Sequence, residues 1–179
     1  MNNKTSWLSP SEALNRPFDA EMDDEFVDDE WLELEATRQL GFHIGNIGLL
    51  ISHNITSELT EVRTICSIPN TVPWFLGLIN LRGNLVPVFD INMLLQIENE
   101  ADKKRMLLIL GEGETAGAIM INGLPMHITL SVADKLDILP PLPEALKPFT
   151  PVAFDRNGEV WFTFDHLGFF KSLATKIAT

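Results

Sequence analysis

The chain has 179 residues, 45% of them apolar, and a formal net charge of −12. This is enough for one domain or two small lobes, not for a string of independent domains. With Cys66 as the single cysteine and no run near the roughly 18 apolar residues of a membrane helix, neither an internal disulfide nor membrane insertion is expected, and the reading is of a cytoplasmic protein.

Residues 1–39 read as an acidic N-terminal extension with no apolar run typical of a secretory signal. Residues 1–37 hold eleven acids and two bases, and Asp19 to Glu35 carries ten acids and no base. Such a self-repelling stretch suits disorder. Phe18, Met22, Phe26, Trp31, Leu32 and Leu34 also suit an acidic amphipathic helix, and both readings stay open. Either way, a regulatory or specificity role is expected, covering a groove or a basic partner surface. From Arg38 onward fourteen acids face eleven bases, so the body is close to neutral. It lacks the basic face that phosphate backbones need, which makes nucleic acid a poor partner.

From Gly41 short apolar runs alternate with glycine, proline and asparagine, which predicts many short strands. Strands are expected near 41–45, 47–52, 62–67, 76–82, 85–89, 105–111, 115–122, 125–130, 149–155 and 159–164. Asn157-Gly158 suits a type I′ turn, Leu81-Arg82-Gly83-Asn84 joins two apolar strands, and Gly111 to Glu114 forms a third turn. Helices are expected near 54–61, after a capping Asp90, and from Asp165 to about Lys176, the last packing through Leu167, Phe169, Phe170 and Leu173. Leu139 to Pro143 must be an extended connector. The fold class is mainly β, with two lobes divided near residue 98.

Metal and cofactor chemistry has no signature here. The histidines at 43, 53, 127 and 166 have neither a close pair nor a cysteine partner. Gly111-x-Gly113-x-x-x-Gly117 is one residue too long for a dinucleotide fingerprint. Cys66, in an apolar run, reads as a buried inert thiol, and Trp74 and Phe75 as core.

The stretch Gly77-Leu78-Ile79-Asn80-Leu81-Arg82-Gly83-Asn84-Leu85-Val86-Pro87-Val88-Phe89-Asp90 resembles the G-x-x-N-L-R-G-x-x-V-P-V-x-D hairpin of CheW-like domains. Gly41 to Gly45 is similar to that family's opening strand, Glu58-Leu59 to its V-x-E-I motif, and Lys147-Pro148-Phe149 through Asp165 to its closing hairpin. Thr56 stands where the family usually has valine, and Ile121-Asn122-Gly123-Leu124 lacks the acid of its V-D-x-V segment. The acidic extension and the Leu139-to-Phe149 tract resemble PilI-type members, which serve type IV pilus and twitching-motility systems.

The resemblance implies two five-stranded β-barrel lobes over 40–179, a few short helices and a C-terminal helix. It also implies a non-enzymatic adaptor between methyl-accepting chemoreceptors and a CheA-type histidine kinase. Arg82, Gly83 and Glu58 would be its partner-binding residues, with Gly77, Asn80, Pro87 and Asp90 structural. From the residues alone, Arg82 is either an ordinary turn residue or a guanidinium offered for planar, paired hydrogen bonds that lysine could not reproduce. Two rivals remain: a hydrolase using Glu58, Asp90 and Asp165, and an OB-like nucleic-acid-binding barrel.

Overall fold

The computed structural model describes residues 37–98 and 104–177. The expectation for residues 1–36 lies outside them. Residues 37–39, assigned above to the extension, are strand: β1 (Thr37–Ile44) begins at Thr37 and pairs antiparallel with β2 (Ile47–Ile51).

After β2 the chain crosses to a second sheet, building β3 (Ser57–Glu61), β4 (Phe75–Leu81), β5 (Asn84–Phe89), β6 (Arg105–Leu110) and β7 (Gly117–Asn122). It then returns for β8 (Met126–Leu130), β9 (Ala153–Arg156) and β10 (Glu159–Thr163). The five-stranded sheets run β8-β1-β2-β10-β9 and β3-β6-β7-β5-β4. The lobes are therefore not divided near residue 98. Strands from 57 to 122 form one sheet, and strands from both sides of that stretch form the other, joined by the parallel pairing of β10 with β2.

An isolated bridge draws the edges of each sheet together. Past β3, Cys66 exchanges backbone hydrogen bonds of 2.8 and 2.9 Å with Leu78 of β4. Past β8, Lys135 bridges to Phe154 of β9, and the Leu136 amide donates to the Ala153 carbonyl at 2.9 Å. The result is two barrel-like lobes.

Alternation along the strands distributes the core. Leu107 and Ile109 of β6 face Val86, Val88, Ala118 and Met120 inside the second lobe. Met106, Leu108 and Leu110, on the opposite face, join Phe42, Ile44, Leu49 and Ile51 of the first lobe in a shared core. Burial on both faces explains why β6 and β7 read as continuous apolar runs. The first lobe is filled by Trp161, whose ring lies on two glycines: a Cβ at Gly41 would sit 2.6 Å from it, and one at Gly48 2.8 Å.

Among the described residues, two short α-helices complete the fold. Asp90 caps α1 (Ile91–Leu95) by accepting from the Met93 amide at 3.1 Å. Asp165 caps α2 (His166–Ala174) by accepting from the Gly168 amide at 3.0 Å. Phe169, Phe170 and Leu173 of α2 seal the shared core, while Leu167 faces solvent, contrary to expectation.

The sequence reading fails most clearly between 54 and 67. The expected helix at 54–61 is strand β3, and the expected strand at 62–67 shrinks to the bridge at Cys66, whose thiol is exposed instead of buried. On β3, Glu58 and Thr60 are half-buried and Leu59 points out, so the polarity of the strand is inverted. That inversion hid its period of two.

Candidate partner-binding site

Residues 81–84 close the β4–β5 hairpin in a two-residue turn, with φ of 52° at Arg82 and 91° at Gly83. Positive φ at both central positions defines a type I′ turn, whose twist matches the flanking strands. A Cβ at Gly83 would touch nothing within 4 Å among the described residues, so glycine serves backbone freedom there and not space. Arg82 lacks that freedom, and the left-handed region costs a non-glycine residue about 1–2 kcal/mol. Asn80 holds the turn: its Oδ1 accepts from the Gly83 amide at 2.9 Å.

Arg82 and Glu58, assigned above to one site from separate parts of the chain, meet in the fold. The Arg82 Nη2 donates to Glu58 Oε2 at 2.7 Å, with the arginine side chain 76% exposed and the glutamate 29%. Glu58 lies opposite Ile109 on β3, so it faces the lobe interior, and Arg82 reaches across to it from the hairpin. The pair lines a groove of about 220 Å³ together with Leu81, Val86, Ile109 and Ala116 and with Thr56 and Glu112. The Thr56 hydroxyl donates to the Glu112 carboxylate, which gives the threonine a role that valine could not fill. Glu112 was missed by sequence reasoning, since its turn carried only a backbone signal. Leu85, beside the turn, is 67% exposed.

One guanidinium nitrogen is thus committed to Glu58, while the side chain as a whole stays largely exposed. Its other donors can make charge-assisted hydrogen bonds to a carboxylate or to carbonyl oxygens of another macromolecule, with Leu85 as an apolar neighbour.

The other assigned residues lie elsewhere. Gly77, with φ of 129°, lets the backbone approach Cys66, where a Cβ would lie 2.2 Å from the Cys66 carbonyl oxygen. Pro87 pairs with Leu78, just outside the β5–β7 pairing that begins at Val88. Asp90, buried, caps α1 and accepts from Arg105. Neither Asp90 nor Asp165 lines the groove on which Glu58 lies, so the proposed hydrolase carboxylates are not gathered there. Among the described residues no group of three or more His, Cys, Asp or Glu is placed to hold a metal ion, and no helix is long and apolar enough to cross a membrane.

This arrangement of twin five-stranded lobes with an N-L-R-G turn is that of a known family: residues 38–174 match the CheW-like domain, and the chain belongs to that family. It is 25% identical over 126 residues to Protein PilI of Pseudomonas aeruginosa strain PAO1, covering 70% of each chain. The crystal structure of the scaffolding protein TtCheW from Thermoanaerobacter tengcongensis superposes with a TM-score of 0.61 at 17% identity, over 72% of this chain and 84% of that one. At that identity the likeness speaks for the fold alone.

Proposed function

We propose that the protein is a cytoplasmic, non-enzymatic adaptor that couples the cytoplasmic tips of chemoreceptors to a CheA-type histidine kinase. The similarity to PilI supports a pilus-linked chemosensory pathway controlling twitching motility. The observation that carries the reading is the exposed guanidinium of Arg82, braced by Glu58 at the tip of a hairpin in a CheW-like domain. An adaptor acts by holding two partners together and biasing the kinase between states, so it needs oriented surface groups and no reacting atoms.

The near-neutral body argues against the nucleic-acid reading, since phosphate binding needs a basic face. Affinity capture from native lysate, paired with reconstituted kinase assays, tests the proposal. Arg82→Glu is expected to reduce receptor and kinase recovery and kinase activation while the fold survives. Unchanged capture and activation would count against it.

A further inference from the structure

A second, larger groove opens where β1 begins. Thr37, Arg38 and Gln39 pair with Leu130, Thr129 and Ile128 of β8, but the pairing of β1 with β2 stops at Leu40–Ile51. Beyond Ile51 the chain leaves for β3, and the divergence leaves a cleft of about 650 Å³. Among the described residues its apolar lining is Leu40, Ile51 and Ile55, and its charged and ionisable groups are Arg38, His53 and His127, with no described carboxylate among them.

Thr37 itself lines the cleft, so the acidic N-terminal stretch joins the fold at the cleft wall. Within six residues of Thr37 that stretch offers Trp31, Leu32 and Leu34 together with Glu33 and Glu35. At roughly 3.5 Å per extended residue, all of these can reach the cleft. A tether of almost no length sets an effective concentration in the millimolar range, so weak contacts suffice.

We propose that residues 31–35 occupy this cleft in cis, with the apolar side chains against Leu40, Ile51 and Ile55 and the carboxylates toward Arg38, His53 and His127. The segment then acts as a built-in competitor for any other ligand of the cleft. This goes beyond the adaptor reading and needs neither kinase nor receptor for its test.

The test uses the full chain with Cys66→Ser and a nitroxide attached at Glu30→Cys. Paramagnetic broadening is read at the amides of His53, Ile55 and His127, which are remote from the label in sequence. The expected result is loss of those peaks within one labelled chain. Their recovery is expected when Asp28, Asp29, Glu33 and Glu35 are changed to Asn or Gln, and again in Arg38→Gln. Undisturbed peaks would overturn the proposal, and so would broadening that persists unchanged in both the neutralised and the Arg38→Gln variants, since a label tethered this close to Thr37 can broaden the cleft amides without docking. So would broadening in a mixture of isotope-labelled, unspun chains with spin-labelled, isotope-free ones, because the occupant would then be a second copy.

Discussion

Arg82 and Glu58 are 24 residues apart in sequence and 2.7 Å apart in space, and their contact ties the hairpin tip to the opposite edge strand of the same lobe. An exposed pair of this kind contributes at most about 1 kcal/mol to stability. Its larger effect is to orient a side chain already confined by a left-handed backbone. A charge swap separates the two roles. In Glu58→Arg/Arg82→Glu the bridge can re-form, so the urea midpoint is expected to stay near that of the parent while partner capture stays low. Recovery of capture in the double variant would assign Arg82 to bracing alone.

The glycines under Trp161 and beside Cys66 are sites of close approach. Gly41→Ala forces a Cβ to within 2.6 Å of the indole and is expected to destabilise the protein by about 1–3 kcal/mol, the usual range for overpacking. Gly77→Ala should cost more, because its Cβ meets main-chain atoms of Cys66 that have no rotamer to yield and its φ is unfavourable as well. Equilibrium urea unfolding ranks the two. A Gly41→Ala cost larger than that of Gly77→Ala would contradict this packing.

Asp90 is buried while its partner Arg105 is partly exposed, so the two halves of this ion pair are not equivalent. Arg105→Met strands a carboxylate in the interior, for which about 3–5 kcal/mol is expected. Asp90→Asn keeps an acceptor for the Met93 amide and leaves Arg105 free to reach water, so its cost should be smaller. Thermal or urea unfolding of both variants checks the order.

His166 supplies a pH dependence. Burial disfavours its charged form and lowers its pKa from the ordinary 6.5, with Asp165 opposing the shift in part. Below 6.5 the unfolded chain takes up a proton that the folded one resists. Stability should therefore be highest above 6.5, fall as pH drops from there to the lowered folded value, and level off beneath it. His166→Gln should flatten this slope when urea midpoints are compared between neutral and mildly acidic pH. An equal slope in the variant would assign it to other groups.

Much of this was legible in the sequence because local chemistry and tertiary demand agree. Asn157-Gly158 and Arg82-Gly83 form the expected hairpins, with positive φ at each of the four residues. Asp90 and Asp165 cap the helices they precede. The meeting of Arg82 with Glu58 was implied only through the family's pattern, since nothing local to either residue specifies it. What stayed illegible depends on partners far along the chain. β3 turns a glutamate inward because Arg82 receives it, and Cys66 bridges to β4 with its thiol in solvent. The division of the lobes was hidden for the same reason: β2 pairs with β10, more than a hundred residues later.

That last pairing sets an order of events during synthesis. The second lobe is continuous from residue 57 to 122 and can assemble once that stretch has left the ribosome. β1 and β2 emerge earlier but must wait for β10, so until Thr163 is made β2 has a bare edge open to another strand. A nascent chain arrested before β9 would carry one sheet with all its strand pairs and one without, both still missing the shared core that β9, β10 and α2 complete, and the bare edge of β2 is where chaperones or aggregation would act first.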